Sequence, residues 1–225
     1  MCWMIGNVGN NEKEVEVILD GLRKLEYRGY DSAGLAIIEK GHLFVEKKSG
    51  KLDNLKESLK DAGHYSNVGI GHTRWATHGV PTDVNSHPHC SCDKKVAVVH
   101  NGIIENYAVL KDELIEKGYI FSSDTDSEVA AQLFSYLYTG DLLETIMKVR
   151  DRIRGSYALG IIHEEQPDKI ICTRKESPLI IGLGKDKNFI ASDVPAILKY
   201  TRDVIFLEND EIAVIEEGKV TVFDK

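Results

Sequence analysis

The chain has 225 residues, of which 42% are hydrophobic and 28% charged, so it can build a substantial core beneath a charged surface. Its formal net charge of −8 argues against a nucleic-acid-binding protein, because such a protein presents a basic face. No apolar run approaches the roughly 18 residues of a membrane span, and the N-terminus lacks the basic lead-in of a secretory signal.

The first predicted element is a helix over Lys13–Glu26, where Val15, Ile18 and Leu22 recur at spacings of three and four. Short apolar runs bounded by turn residues then predict strands. These strands cover Gly34–Ile38, His42–Glu46, Val68–His72 and Val96–His100.

Helices are predicted in the middle of the chain. The periodicity indicates one over Asn106–Lys117 and another over Leu142–Arg152. Between them, Thr125-Asp126-Ser127-Glu128 has the pattern of a capping box, with Thr125 as the N-cap and Glu128 reaching back to it.

Strands dominate the last third of the chain. This distribution departs from the strict strand–helix alternation of a parallel doubly wound sheet. We therefore predict a single α+β domain whose helices cover the outer faces of packed, largely antiparallel sheets. The predicted strands are Tyr157–Ile162, Lys169–Cys172, Leu179–Ile181, Phe189–Ala191, Val204–Leu207, Ile212–Ile215 and Val220–Phe223.

The four cysteines are too few and too scattered to form a disulfide framework, so we expect a reduced, cytoplasmic protein. Cys2 follows Met1, and loss of Met1 would leave one residue with both a thiol and a free α-amine. The ordinary pKa values of these groups are about 8.5 and about 7.7–8.0, so near neutral pH the amine can act as the base for the thiol. By itself, the pattern also fits an ordinary small residue after methionine.

Arg74 and Trp75 lie where a predicted strand passes into a loop. An arginine offers a bidentate fork to a small carboxylate, although a polar strand end explains the segment as well. Further along, the Asn101 amide beside the Gly102 N–H is a suitable pair of donors for a developing oxyanion. An Asn-Gly turn is the alternative interpretation of that pair. Asp126, in the first turn of its helix, either stabilises the helix dipole or accepts an ammonium group.

Together these segments resemble the glucosamine-6-phosphate synthase family, also called glutamine–fructose-6-phosphate aminotransferase (isomerizing). The resemblance implies a class II, N-terminal-nucleophile glutamine amidotransferase domain built as a four-layer α/β/β/α sandwich. The matches keep the family order and near-family spacing. They comprise Met1-Cys2, Glu26 to Gly34, Thr73 to Gly79, Asn85 to His89, His100 to Asn106, Thr125 to Glu128, Ser177 to Leu179 and Ile205 to Glu208.

The resemblance also implies the catalytic groups. Cys2 would attack the side-chain amide of L-glutamine and form a γ-glutamyl thioester and ammonia, after which water would release glutamate. The Asn101 side chain and the Gly102 N–H would form the oxyanion hole. Arg28 would lie near the nucleophile's end of the site.

Substrate-binding residues follow from the same resemblance. Arg74, assisted by Thr77 and His78, would hold the α-carboxylate of glutamine, and Asp126 would hold its α-ammonium group. Trp75 would lie near the exit route for ammonia. No cofactor and no metal are implied.

In the family, a C-terminal sugar isomerase half uses the ammonia to convert fructose 6-phosphate into glucosamine 6-phosphate. This chain ends at Lys225, about where the family's linker begins, so we expect residues 1–225 to form a glutaminase domain without that half. L-glutamine and the isomerase domain are the expected partners, and nucleic acid and membrane are not. Assembly into a homo-oligomer is left open.

Two alternatives concern the reaction. Trp3 and Met4 stand where the family usually has glycine and isoleucine, and crowding of the nucleophile would leave a slow enzyme or an inactive glutamine-binding regulatory module. The glutaminase domain of another class II amidotransferase, such as amidophosphoribosyltransferase, is the alternative enzyme.

A third alternative is a metal site. The segment from His87 to Cys92 holds four potential metal ligands, but zinc sites usually combine two separated pairs and no second pair is evident. We therefore predict no metal.

Overall fold

The computed structural model describes residues 2–10, 14–60, 63–75 and 79–224. Within these ranges, none of the helices is long and apolar enough to cross a membrane. The helices are α1 (Glu14–Lys24), α2 (Leu52–Ser58), α3 (Tyr107–Glu116), α4 (Glu128–Leu137) and α5 (Leu142–Arg152). The strands are β1 (Trp3–Gly9), β2 (Ser32–Glu39), β3 (His42–Ser49), β4 (Val68–Arg74), β5 (His89–Cys90), β6 (Val96–Ile104), β7 (Gly155–His163), β8 (Gln166–Lys175), β9 (Ile180–Leu183), β10 (Lys187–Ala191), β11 (Asp203–Phe206), β12 (Ile212–Ile215) and β13 (Val220–Phe223).

The strands form two antiparallel sheets that pack face to face. Sheet I has the order β11-β9-β10-β1-β4-β2-β3, and sheet II has the order β13-β12-β8-β7-β6-β5. Helices α1 and α2 cover the outer face of sheet I, and helices α3 to α5 cover that of sheet II. The predicted α+β fold and its four-layer α/β/β/α arrangement are confirmed.

Strand β1 shows how the layers are built. Its side chains alternate between two cores, because successive residues of a strand point to opposite faces. Trp3 and Ile5 belong to the core under α1, whereas Met4 and Val8 belong to the core between the sheets. Both faces of this strand are therefore covered.

Small residues bring the two sheets close together. Ala97 and Ala158 of sheet II are fully buried in the core between the sheets. At Gly160, also in sheet II, a Cβ atom would lie only 2.6 Å from the Cδ1 atom of Ile190 in sheet I. Side chains at these positions thus set the spacing between the sheets.

The structure differs from the sequence predictions in several details. Strands β1 and β5 and helix α2 were not predicted. The prediction of a capping box with Thr125 as the N-cap is wrong. Ser127 is the N-cap of α4, and its side chain makes no capping hydrogen bond. The Glu128 carboxylate instead accepts hydrogen bonds from the backbone N–H groups of Ser122 and Ser123, and the Thr125 hydroxyl pairs with His89.

The Asn-Gly turn also does not occur. Strand β6 continues through Asn101 and Gly102 to Ile104, and these residues pair with β7 along the whole segment. Gly102 has φ 128°, and a Cβ atom there would lie 2.0 Å from the Ser156 carbonyl oxygen. Only glycine fits this position, because the neighbouring strand approaches too closely for a side chain.

Candidate active site

Cys2 lies at the entry to β1, the central strand of sheet I. The backbone N–H of Trp75 donates to its Sγ atom at 3.4 Å, and the thiol lies 3.5 Å from the Trp75 carbonyl oxygen. Ser192 anchors Met4, two residues after Cys2: Met4 N–H donates to Ser192 Oγ at 2.9 Å, and Ser192 N–H donates to the Met4 carbonyl at 3.1 Å. The start of β1 is thus held from both sides.

The environment of the Cys2 thiol favours its protonated form. Burial raises the thiol pKa, and the Trp75 N–H and the charge of Arg74 offset this effect only in part. Because the thiolate is the reactive species, a buried thiol of this kind needs a nearby base to react at neutral pH.

A cavity of about 410 Å³ opens beside Cys2. Four of the residues predicted for the site contribute to its wall: Cys2, Trp75, Asn101 and Gly102. The first two come from sheet I and the loop after β4, whereas the other two come from β6 of sheet II. The structure therefore brings the predicted nucleophile and the predicted oxyanion donors to one cavity between the two sheets.

The other predicted residues are placed less directly. Arg74 is buried, and its guanidinium donates to the Gly79 carbonyl at 3.0 Å. Asp126 is buried, and its Oδ2 atom accepts from the Ile104 N–H at 2.7 Å. Among the described residues, neither side chain is part of the cavity wall.

For three of the predicted residues, the side chain is not among the described parts of the structure. Thr77 and His78 lie outside the described residues. Arg28 ends the 3-10 turn Glu26–Arg28, and only its backbone is described. Their expected roles stay predictions.

Trp75 covers the cavity next to the thiol. Its side chain is 50% exposed, and its ring lies over Gly29, where a Cβ atom would come within 2.8 Å of the Trp75 Cζ3 atom. Gly29 has φ 75°, a conformation that a residue with a side chain rarely adopts. The Glu26–Gly34 segment therefore provides the surface on which the Trp75 ring packs, a role that the sequence did not indicate.

The rest of the wall was not predicted as part of the site. It is formed by residues of β1, β6 and β7, the turn after β8 and the residue that follows β10. Only the Ser177-Pro178 pair carried a signal, as one of the family-like segments. The residues are Trp3, Ile103, Ser156, Glu176, Ser177, Pro178 and Ser192.

The histidines that suggested a metal site are packed into a buried cluster. His87 stacks on His72 with ring centroids 4.1 Å apart, and His89 lies edge-on to His87 at 4.6 Å. In the described part of the chain, no group of three or more histidine, cysteine or acidic side chains has an arrangement that could hold a metal ion.

Trp3 contributes to the cavity wall beside Cys2, but most of its side chain belongs to a hydrophobic core. Its side chain is 3% exposed and packs in the core under α1, on the face of β1 opposite to that of Met4. Trp3→Gly is therefore expected to lower the free energy of unfolding by about 3–5 kcal/mol, the usual cost of truncating a buried large aromatic residue, and not to raise turnover. Equilibrium unfolding in urea, together with a glutaminase assay, measures both effects.

Phe206→Gly is the matched control for this change. Phe206 also lies in a strand of sheet I, but its side chain is 65% exposed, so the loss should be about 1 kcal/mol or less. Faster turnover of Trp3→Gly with unchanged stability would restore the crowding interpretation.

The sequence and the fold are similar to those of known proteins. A family profile described as "Glutamine amidotransferase domain" matches residues 72–199. The glutamine–fructose-6-phosphate aminotransferase (isomerizing) of Fusobacterium nucleatum is 60% identical over 225 residues, which are 100% of this chain and 37% of that protein. The protein of the same name from Caldanaerobacter subterraneus is 54% identical over 224 residues, again 100% of this chain and 37% of the relative. The chain thus spans little more than a third of the length of these relatives.

Among solved structures, the glutamine phosphoribosylpyrophosphate amidotransferase from B. subtilis, in complex with ADP and GMP, matches with a TM-score of 0.84 and 26% identity. The match covers 99% of this chain and 49% of that one. A glutamine aminotransferase class-II domain protein from Silicibacter pomeroyi matches with a TM-score of 0.66 and 12% identity, over 99% of each chain. This second likeness concerns the fold alone.

Proposed function

Since the chain belongs to the glutamine amidotransferase domain family, we propose that it hydrolyses the side-chain amide of L-glutamine to glutamate and ammonia. One observation carries the proposal: the Cys2 thiol, the Asn101 amide and Gly102 open on the same cavity. This combination of a nucleophile and two donors is what transfer of an acyl group from an amide requires.

The proposed reaction begins after removal of Met1. The Cys2 sulfur bonds to the amide carbon of glutamine, and the thiol proton passes to the α-amine of Cys2. Asn101 Nδ2 and the Gly102 N–H stabilise the resulting oxyanion. The carbon–nitrogen bond then breaks, the leaving nitrogen takes the proton, and ammonia departs. Water hydrolyses the thioester, which releases glutamate and restores the thiol.

The remaining residues are proposed to position the substrate. Arg74, with Thr77 and His78, binds the α-carboxylate of glutamine, and Asp126 binds its α-ammonium group. Burial of Arg74 and Asp126 supports such roles, because charges taken out of water bind an oppositely charged group more strongly. Arg28 lies near the nucleophile, and Trp75 covers the side from which ammonia leaves.

We further propose that this glutaminase supplies ammonia to a sugar isomerase domain for the synthesis of glucosamine 6-phosphate from fructose 6-phosphate. The proposal is supported by the names of the relatives that are 60% and 54% identical, of which this chain spans 37%. On this view residues 1–225 are the glutaminase domain. The four free cysteines fit a reducing compartment, and we propose the cytoplasm.

The first test is the intact mass of the purified protein before and after incubation with an electrophilic glutamine analogue. We expect the loss of one methionine and the addition of a single adduct on Cys2. Retention of Met1 together with no adduct would contradict the proposed nucleophile and favour a glutamine-binding module without activity.

A pH profile tests the proposed base. Burial raises the pKa of the Cys2 thiol, so near neutral pH the thiol stays protonated and must give its proton to the α-amine. The amine accepts a proton only when it is itself unprotonated. We therefore expect kcat/KM for glutamine to rise with pH through about 7.7–8.0, the ordinary pKa of an α-amine, and then to level off.

Protein that keeps Met1 is the control for this profile. Its thiol lacks the adjacent free amine, so its rate should be lower at neutral pH and should continue to rise above the plateau as the thiol itself ionises. A flat profile of the processed protein from about pH 6 to pH 9 would exclude the amine as the base.

A further inference from the structure

The nucleophile and the oxyanion donor lie on different sheets. Cys2 leads into β1 of sheet I, whereas Asn101 belongs to β6 of sheet II. Hydrogen bonds within one sheet therefore cannot fix the distance between the thiol and the amide. A contact that crosses from sheet to sheet is needed.

His72 makes that contact. It lies on β4, the strand that pairs with β1, and its register partner is Met4. Residues directly opposite each other in an antiparallel pair share a face, so His72 points into the space between the sheets, as Met4 does. Its Nε2 atom lies 2.9 Å from Asn101 Oδ1 and 3.0 Å from the carbonyl oxygen of His100.

These two contacts determine how the Asn101 amide is oriented. A carbonyl oxygen can only accept, so the contact with His100 means that His72 Nε2 carries a hydrogen. That hydrogen requires an oxygen, not an NH₂ group, on the Asn101 side of the contact. The Asn101 NH₂ group is consequently directed away from His72, and Asn101 lines the cavity together with Cys2.

The imidazole that makes this contact is itself firmly held. His72 is fully buried, and the ring of His87 is stacked on it at 4.1 Å with an interplanar angle of 17°. The backbone N–H of His100 donates to His87 Nδ1 at 3.2 Å, which fixes the stacking partner in turn. Burial lowers the pKa of His72 to about 3, so the ring stays neutral under ordinary conditions.

We propose that His72 is the positioning residue of the oxyanion hole: by donating from Nε2 across the gap between the sheets, it aims the Asn101 amide at the carbonyl that Cys2 attacks. This inference rests on the proposed glutaminase function. It assigns His72 no contact with the substrate, because it acts only through Asn101.

Two variants test the role of the donated hydrogen. His72→Phe keeps a planar ring but removes the donor, and we expect kcat to fall by about tenfold to hundredfold with little change in the KM for glutamine. In His72→Gln, the side-chain amide nitrogen can take the place of Nε2 and donate in the same way. This variant should recover kcat to within about threefold to tenfold of the wild type.

A double-mutant cycle with Asn101→Ala separates positioning from a general structural effect. If His72 acts through Asn101, then His72→Phe should cost less than about threefold in kcat once the Asn101 amide is gone. An equal loss in both backgrounds would overturn the proposal, as would a kcat for His72→Phe within twofold of the wild type.

His163→Phe is the matched control. His163 is also buried and packs against an aromatic ring, that of Tyr138 at 3.9 Å with an interplanar angle of 30°, but it lies at the far end of β7 from the cavity residue Ser156. The same chemical change there should leave kcat unaltered. A loss equal to that of His72→Phe would mean that burial of any histidine, and not the contact with Asn101, is what matters.

One measurement needs no variant that might unfold. The nitrogen chemical shifts of ¹⁵N-histidine-labelled wild-type protein report the tautomer of each buried imidazole. We expect His72 to carry its hydrogen on Nε2, and the Nδ1–H tautomer would overturn the proposal. Absence of glutaminase activity in the wild type would instead contradict the proposed function, so the two failures are distinguishable.

Discussion

Cys2→Ala is expected to abolish glutamine hydrolysis, with a loss on the order of 10⁴-fold or more in kcat. The reason is that Cys2 is the cysteine in the wall of the cavity, next to the proposed oxyanion donors Asn101 and Gly102. Without a sulfur atom no thioester can form, and water alone would have to attack an unactivated amide. The rate of glutamate release in a coupled assay measures the effect.

Cys92→Ala is the control for this experiment. Cys92 is exposed and lies on the loop after β5, away from the cavity, so its loss should leave the rate unchanged. It also shows whether an electrophilic glutamine analogue labels an accessible thiol without selectivity. Turnover of Cys2→Ala close to that of the wild type would end the assignment of the nucleophile.

The second large effect is expected at Asn101. Removing one donor from an oxyanion hole usually costs about 10²–10³ in kcat, and we expect Asn101→Ala to fall in this range with a smaller change in KM. Asn101 is 6% exposed in the middle of β6, with its carbonyl oxygen occupied by His72, so its NH₂ group is left for the substrate. Steady-state kinetics with glutamine provide the measurement.

Asn188→Ala separates this role from the general cost of removing a buried amide. Asn188 is also buried, but its Nδ2 atom donates to the Glu216 and Glu217 carbonyls, and it pairs with Val8 at the end of β1 remote from Cys2. We expect lower thermal stability and an unchanged kcat for this control. A loss below about tenfold in Asn101→Ala would make Asn101 a structural residue and not an oxyanion donor.

Parts of the fold with a clear local signal were predictable. Helix α5 was predicted with its observed bounds, Leu142–Arg152, because its apolar residues face one core and Asp141 caps its first turn. Strand β1 was missed for the opposite reason. It lies in the centre of sheet I with both faces buried, so its sequence shows no alternation of apolar and polar residues.

The capping box shows a second reason why local sequence patterns can fail to predict structure. Thr125 and Glu128 have the spacing of the motif, but long-range partners outcompete the local bonds. His89, on a strand of sheet II, takes the Thr125 hydroxyl at 2.9 Å. Such a contact depends on the tertiary fold and leaves no trace in the spacing of the residues.

The residues of the candidate site also fall into those with a local sequence signal and those without one. Cys2, Trp75, Asn101 and Gly102 could be predicted because each belongs to a short family-like segment, and all four reach one cavity. Ser156 lies on β7 and Ser192 directly follows β10; only long-range pairing brings these strands there, and no local pattern marks the two serines. His72 ended a predicted strand, but its partner Asn101 is 29 positions away along the chain and on the other sheet.

The close approach of the sheets at Gly160 has a consequence for turnover. Gly160 faces Ile190, whose strand β10 pairs with β1. Because Gly160 has no side chain, β1, which follows Cys2, can lie close to the sheet that carries Asn101. A methyl group there would meet the Cδ1 atom of Ile190 at 2.6 Å, so we expect the Ile190 side chain to shift and to change the packing between the two sheets. If the proposed reaction takes place in this cavity, the thickness of the core is one of the distances that position its groups, and we expect changes in core packing to alter kcat without any contact with the substrate.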